Sequence, residues 1–287
     1  MTSPFVRRRR LATELRTLRE ARGLTAGRLA DLIHHSRMKI SRLENAKVRP
    51  EVAEVIKILD VLDVTDDKWK EIVRIACDAA ERGWWDNYGD AMGSRQRLYA
   101  DIESGAKTIR EYNQTVMPGI LQTTQFITAL VDLTEAEGAL DFVPEKMTEA
   151  RLHRQRAIFR SSGPTYEVIL DETVIRRLTV PAEVMAAQLR HIVEVLSTQP
   201  RLTVRVLPVD ARIGGRTLPR TTFTLYMFPD PDDPPMAVVD TINTDIVHTK
   251  PGEVERYERS YEHLSRAALS PDDTVALLTE VAKRTTS

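Results

Sequence analysis

Cysteine is almost missing from this 287-residue chain, which has a single one, Cys77. One cysteine excludes an internal disulfide and argues against a thiolate metal cage, so a reducing compartment is expected. No apolar run approaches the roughly 20 residues that a membrane helix needs. The N-terminal stretch is basic and lacks the apolar segment of a signal peptide. These absences predict a cytoplasmic protein without a membrane segment.

The sequence also lacks the short motifs that mark common enzyme sites. It has no G-x-S-x-G turn, phosphate loop, dinucleotide-binding glycine motif or H-E-x-x-H zinc motif. Asp230, Asp232 and Asp233 lie in FPDPDDPP, where the prolines indicate an exposed turn rather than a metal site. The basic stretch ARLHRQR (150–156) is interpreted as a solvated helix face. We therefore expect no catalytic residue, no metal and no cofactor.

Charge of either sign is nearly balanced overall but unevenly distributed. The net charge is −1, yet residues 1–50 contain 13 basic and 4 acidic residues, a net charge of +9. The rest of the chain contains 28 basic and 38 acidic residues, a net charge of −10. A basic segment on an acidic body is typical of a polyanion-binding module joined to a domain that binds no nucleic acid. A solvated charged surface is the alternative.

Residues 1–82 contain five short stretches in which apolar residues recur at helical spacing. Gly23 ends the first stretch, and Pro50 lies between the third and fourth. Thr25, Ser36 and Thr65 are placed to cap the second, third and fifth. The pattern predicts a compact five-helix domain. Its expected inward-facing residues are Leu11, Leu15, Leu18, Leu29, Leu32, Ile33, Ile40, Leu43, Val52, Val55, Ile56, Leu59, Leu62, Trp69, Ile72, Val73, Ala76 and Ala80.

The third stretch, SRMKISRLEN, has an unusual outward face. If Ile40 and Leu43 face the core, the outward residues are Arg37, Met38, Ser41 and Arg42. Arginine pairs bidentately with the guanine edge, and methionine packs on the thymine methyl group. This face therefore predicts base contacts in the major groove of double-stranded DNA. The candidate phosphate contacts are Thr25, Ser36, Lys39, Lys47 and Arg49.

The segment LTAGRLADLIHHSRMKISRLENAKVRP resembles the helix-turn-helix of phage-repressor-like (Xre-type) regulators, over about residues 8–82. The resemblance implies that the helix beginning at Ser36 enters the major groove. It also implies that Arg19 and Glu44 form a pair that ties the first helix to the end of the recognition helix. The residues that match the family's base-reading positions are Arg37, Met38 and Arg42. Because one helix-turn-helix domain (the head of such a regulator) contacts few base pairs, a homodimer on paired half-sites is expected.

The sequence departs from the family pattern at several positions in this region. His34 replaces the usual glycine of the turn, which strains the backbone if the position requires positive φ. Ala46 replaces the glycine after E-N, and Arg28 replaces a common capping glutamate. Ala26 stands where many members have a polar residue that contacts phosphate. None of these changes removes the groove-facing arginines, so DNA binding remains the prediction.

Residues 83–94 are rich in glycine and aromatic residues and are predicted to join two domains, with Trp84 and Trp85 packed there. Residues 95–161 read as helical, interrupted by MPGILQTTQF. Strand patterns then alternate with helices. The predicted strands are 165–171, 201–208, 221–228, 235–242 and 245–250. We therefore expect a mainly α N-terminal domain and, over 95–287, a mixed α/β or α+β domain around a small sheet.

The second domain also resembles a known one. Segments such as EYNQTVMPGILQT, TYEVILDETVIRR and RLTVRVLPVDARIGG look like the C-terminal domain fused to Xre-type heads in many actinobacterial regulators, over nearly all of residues 95–284. Those regulators are described as antitoxin-like, or as developmental and antibiotic-production regulators, and they typically lie beside a gene for a small partner protein. The resemblance implies a transcriptional regulator that responds to a small protein partner.

Two alternatives stay open for this C-terminal domain. It is either the partner-binding domain that the resemblance implies, or a small-ligand sensor or enzyme whose head regulates its own gene. The segment from Pro118 to Thr123 has two interpretations as well: it matters to the fold or docking of the domain, or it is the ordinary start of a helix.

Overall fold

The computed structural model describes residues 2–214, 218, 220–241 and 244–285, and it divides the chain into two units. Unit 1 contains Met1–Asn87, Leu98–Gly105 and Pro229–Pro234, and unit 2 contains Tyr88–Arg97, Ala106–Phe228 and Pro235–Ser287. The sequence predicted one boundary between the domains, at residues 83–94. The two units do not follow a single boundary, because Leu98–Gly105 and Pro229–Pro234 belong to the same unit as the N-terminal helices. The expected fold class, a helical N-terminal domain and a C-terminal domain with a small sheet, is confirmed.

Unit 1 begins with the five predicted helices. They are α1 (Pro4–Ala21), α2 (Ala26–Leu32), α3 (Arg37–Leu43), α4 (Val52–Val61) and α5 (Asp66–Ala80). A 3₁₀ helix (Trp84–Tyr88) and α6 (Ser94–Gly105) follow. Thr25 and Ser36 cap α2 and α3 as predicted, since each hydroxyl accepts a backbone N–H bond. Thr65 is the N-cap residue of α5 as predicted, but its side chain accepts no cap hydrogen bond: its hydroxyl donates to the Asp66 carboxylate, at 2.9 Å.

Apolar stripes of all five helices form one core in unit 1. Most of the predicted inward-facing residues belong to it or pack against it, and Ile58, Ile75 and Ala79 join it as well. The assignment of Leu32 was wrong, because it lies in the last turn of α2 with 41% of its surface exposed. Trp85 is buried and meets Trp84 edge to face, with ring centroids 5.9 Å apart. These rings therefore serve packing within unit 1.

Unit 2 is built on a six-stranded mixed sheet of order β3-β2-β1-β4-β5-β6. The strands are β1 (Thr108–Asn113), β2 (Thr165–Asp171), β3 (Leu202–Leu207), β4 (Phe223–Met227), β5 (Met236–Val239) and β6 (Ile246–His248). Strands β1, β2 and β3 are parallel, and the remaining pairs are antiparallel. All five predicted strands are present. The helical assignment of residues 108–113 is wrong, because β1 pairs with β2 on one side and β4 on the other.

Helices surround this sheet. They are α7 (Thr124–Glu137), α8 (Pro144–Phe159), α9 (Glu172–Arg176), α10 (Ala182–Thr198), α11 (Pro251–Ala267) and α12 (Pro271–Thr285). Helix α11 lays Val254, Tyr261 and Leu264 on the sheet core, while α10 and α12 pack on each other and on β3. The interpretation of residues 150–156 as a solvated helix face is wrong, because Arg154 in α8 is only 6% exposed.

The segment from Pro118 to Thr123 is held by glutamine side chains of unit 2. Gln155 donates to the carbonyls of Gly119 and Gln122, at 3.0 and 2.8 Å. Gln188 is fully buried; it donates to the Leu121 carbonyl and accepts from the Thr123 N–H. Helix α7 begins at Thr124, and Thr123 is its N-cap, so the segment leads into a helix that starts later than Pro118 and Gly119 indicate. The segment thus contributes to the fold of unit 2, since glutamine amides satisfy backbone groups that have no helix or strand partner.

Candidate nucleic-acid interface

Helix α3 presents two chemically different faces. Ile40 and Leu43 are 2% and 8% exposed in the core of unit 1. The opposite face is exposed, and Met38 has 64% of its surface accessible. The residues of this outward face are Arg37, Met38, Ser41 and Arg42. Both arginines are exposed, and within the described part of the chain neither makes an ion pair.

The end of α3 is tied to α1 by a buried ion pair. Arg19 Nε donates to Glu44 Oε1 at 2.6 Å, and Arg19 Nη2 donates to Glu44 Oε2 at 2.9 Å. Hydrogen bonding to Glu44 raises the pKa of Arg19 above its ordinary value. Arg19 Nη1 also donates to the Leu24 carbonyl at 2.7 Å, before α2 begins. A single guanidinium therefore ties α1 both to the end of α3 and to the loop that precedes α2.

The two turns that flank α3 have backbone conformations that favour glycine. His34 has φ 57° and Ala46 has φ 54°. Both positions are the ones where the sequence lacks the glycine of the family pattern. The left-handed region costs an L-residue roughly 1–2 kcal/mol. The strain predicted for His34 is therefore present, and Ala46 shares it.

The candidate phosphate contacts fall into two groups. The hydroxyls of Thr25 and Ser36 accept backbone N–H bonds at 3.1 and 3.2 Å, and each keeps its own proton to donate. Lys47 is exposed and makes no ion pair among the described residues. Lys39 is instead bound to Glu54, which raises the pKa of Lys39, and Arg49 binds Asp86 at 3.0 Å.

The sequence did not indicate the carboxylates that form ion pairs with Lys39 and Arg49. Glu54 lies 15 residues after Lys39, and Asp86 lies 37 residues after Arg49. No local pattern marks such pairs, because they depend on how α4 lies relative to Lys39 and on how the 3₁₀ helix lies relative to Arg49. The consequence is that Thr25, Ser36 and Lys47 are better placed for phosphate contact than Lys39 and Arg49.

The N-terminal arginine run does not face solvent. Arg7 and Arg10 are 2% and 5% exposed. Asp230 Oδ2 accepts from both guanidinium groups, at 3.0 and 2.9 Å, and Asp233 lies 3.4 Å from Arg7. Arg8 binds the buried Asp101 at 2.9 Å. Additional carboxylates in these ion pairs come from Glu71, Asp78 and Asp232.

These contacts correct two expectations. FPDPDDPP is not simply an exposed turn, since Asp233 is 7% exposed and its segment packs within unit 1. The net charge of +9 in residues 1–50 is also not all displayed, because part of it is neutralised by aspartates far along the chain. Basic charge available to a polyanion is therefore concentrated near α3 rather than along α1.

Across the described residues, no group of three or more His, Cys, Asp or Glu side chains is arranged to hold a metal ion. Among the helices of that same part of the chain, none has the length and apolar character that crossing a membrane requires.

Residues 10–71 match a family model described as a helix-turn-helix domain, and this match covers α2, the turn and α3. The N-terminal helices accordingly form a DNA-binding helix-turn-helix module, and the chain is a helix-turn-helix regulator. Residues 96–280, more than half of the chain, match the model described as Domain of unknown function (DUF5753), and the chain belongs to that family. Searches of curated proteins and of solved structures found no match.

Proposed function

We propose that the chain is a sequence-specific transcriptional regulator that inserts α3 into the major groove of its operator. The observation that carries the proposal is the exposed face of α3, where Arg37 and Arg42 have no carboxylate partner within the described residues. In this proposal Arg37, Met38, Ser41 and Arg42 contact base edges. Lys47, Thr25 and Ser36 contact phosphates and set the register of the helix.

The proposal includes a homodimer in the cytoplasm. One helix of seven residues reads only a few base pairs, whereas two heads on half-sites about one DNA turn apart read a full operator. DNA as the partner favours the cytoplasm of a bacterial cell, and the resemblance to actinobacterial regulators favours such a host. The proposed activity is binding, without a catalytic step.

For unit 2 we propose an antitoxin-like role, in which it binds a small protein encoded by a neighbouring gene. The resemblance of this domain to those of actinobacterial regulators supports the proposal. Several large apolar side chains of unit 2 are exposed and supply candidate contacts. They are Leu133, Val143, Leu178 and Val209.

DNA binding is tested with the purified chain on labelled DNA from upstream of its own gene and on a scrambled fragment, at two salt concentrations. We expect a preference for the upstream fragment that persists at the higher salt, because base contacts do not depend on counterion release. The double variant Arg37→Ala/Arg42→Ala should lose that preference. Arg74→Ala, which removes an exposed arginine of α5, is the matched control. If the double variant still distinguishes the fragments, α3 is not the reading helix.

Partner binding is tested by producing the chain together with the protein encoded by the adjacent gene. We expect the two to elute as one complex, with the dimer detected by light scattering on the chain alone. Separate elution at micromolar concentration would contradict the antitoxin-like role and leave DNA binding unaffected.

A ligand-sensing role for unit 2 is the second candidate. It is favoured by an open cavity of about 670 Å³ on this unit.

A further inference from the structure

The cavity of unit 2 has an aromatic floor. Phe223, Tyr257 and His248 line it, and the Tyr257 ring centroid lies 5.2 Å from that of Phe223 and 5.4 Å from that of His248. Phe223 is buried in the sheet core, which fixes the floor in position. Tyr257 and His248 are half-buried, so parts of both rings are accessible from the cavity. The floor therefore offers a surface on which a planar ring can stack.

The rim of the cavity is positively charged. Arg256 comes from α11, and Arg220 comes from the segment before β4. Both are exposed, and neither has an ion pair within the residues that the structure describes. The carboxylate at the rim, Glu253, is already engaged, because it lies 2.8 Å from His248 Nδ1 and 3.7 Å from Lys250 Nζ. An anion that enters the cavity thus meets two available guanidinium groups.

The arginines of α11 differ in whether a carboxylate binds them. Arg266 pairs with Glu262 at 3.4 Å in the usual i,i+4 manner of a solvated helix. Arg259 pairs with Glu255 at 3.2 Å in the same way. Arg256 lies one position before Tyr257 and lacks such a partner in the described chain. Arg259 also lines the cavity, so of these two cavity-lining arginines of α11 Arg256 is the one without a carboxylate partner among the described residues.

We propose that this cavity binds an aromatic anion of the nucleoside-phosphate class. The base stacks on Tyr257 and His248, and the phosphates pair with Arg256 and Arg220, since guanidinium groups match phosphate oxygens bidentately. Ser260 lines the same cavity, and in this proposal its hydroxyl donates to the sugar. The volume is typical of small-molecule sites. The proposal concerns unit 2 alone and does not depend on DNA binding by α3.

The test is isothermal titration calorimetry of the full chain with ATP and with GTP. Tripolyphosphate, which has only the phosphates, and adenosine, which has only the base and sugar, serve as partial probes. We expect at least one nucleotide to bind more tightly than either partial probe, because ring and anion contacts add. Arg256→Ala should weaken that binding about tenfold, the scale of one charged hydrogen bond. Arg266→Ala, an exposed arginine of the same helix, is the matched control and should bind as the unchanged chain does.

Three outcomes would overturn the proposal: neither nucleotide saturates at millimolar concentration, tripolyphosphate binds as tightly as ATP and GTP, or Arg256→Ala leaves nucleotide binding unchanged. Tyr257→Leu should also weaken binding, and thermal unfolding shows whether that variant is folded. If it is not, Tyr257→Phe retains the ring and should bind within a few-fold of the unchanged chain. Operator binding by Arg256→Ala should be normal, which separates failure here from failure of the DNA-binding proposal.

Discussion

Arg10 and Asp230, 220 residues apart in the sequence, are joined by a hydrogen bond of 2.9 Å between Nη1 and Oδ2. Arg7 donates to the same carboxylate oxygen at 3.0 Å. One aspartate from the segment between β4 and β5 thus binds two arginines of the first helix, both almost fully buried. Buried cations of this kind are stable only when paired and hydrogen-bonded.

Asp230→Asn should destabilise the protein by about 2 kcal/mol at pH 7, the scale of a hydrogen bond to a charged group. Burial alone would raise the pKa of Asp230, but the N–H of Asp232 and the charges of Arg10 and Arg7 together lower it. A lowered pKa gives stability that is present above the unfolded value and is lost as the pH falls through the folded value. The difference between the two proteins should therefore shrink below about pH 4 in urea unfolding.

Asp233→Asn is the matched control for that experiment. Burial, with a further contribution from Asp230, raises the pKa of Asp233 despite its contacts with Arg7 and Arg10. Ionised Asp233 is therefore less favourable in the folded state, and its neutral replacement should cost less at pH 7 than that of Asp230. Equal losses for both variants would contradict this division of roles.

Arg19→Met should destabilise the protein by about 3–5 kcal/mol, because it leaves the Glu44 carboxylate buried without its partner. The double variant Arg19→Met/Glu44→Leu should recover most of that loss, since it removes both charges. Urea unfolding of both single variants and the double variant gives the coupling energy directly. Additive losses would show that the pair observed at 2.6 Å contributes little of its own.

His34→Gly and Ala46→Gly should each stabilise the protein by about 1 kcal/mol. Glycine adopts positive φ without the strain of about 1–2 kcal/mol, and this gain exceeds the conformational freedom that glycine loses on folding. Thermal unfolding measures the change. Lys47→Gly is the control in the same turn, since Lys47 is not among the residues with positive φ and should gain nothing. A rise in the melting temperature for Lys47→Gly as well would point to a cause other than backbone strain.

Lys47→Ala and Lys39→Ala should differ in their effect on DNA binding. Loss of one phosphate contact lowers the slope of log affinity against log salt by about 1 and weakens binding to all sequences alike. We expect this for Lys47 but only a small change for Lys39, whose charge Glu54 already compensates. Fluorescence anisotropy at several salt concentrations measures the slopes, with Lys70→Ala on α5 as the control. Equal slopes for both variants would mean that Lys39 leaves Glu54 on binding DNA.

Local patterns predicted most of the fold. The five helices of unit 1 follow from apolar spacing and from caps such as Ser36, which depend on residues within a few positions of one another. Five strands of the sheet follow from alternation and β-branched residues in the same way. Strand β1 could not be predicted in this way, because its sequence TIREYN is mostly polar. Its structure depends on pairing with β2 on one edge and β4 on the other.

Part of the candidate DNA-binding site could likewise be predicted from local patterns, and part could not. The sequence by itself determined which side chains α3 turns outward, because helical periodicity places Arg37 and Arg42 opposite Ile40 and Leu43. Only the tertiary structure decided which basic residues keep their charge available. Arg10, Lys39 and Arg49 are paired with carboxylates that lie 220, 15 and 37 residues away. Ion pairing depends on distance in space, and no short-range pattern in a sequence records it.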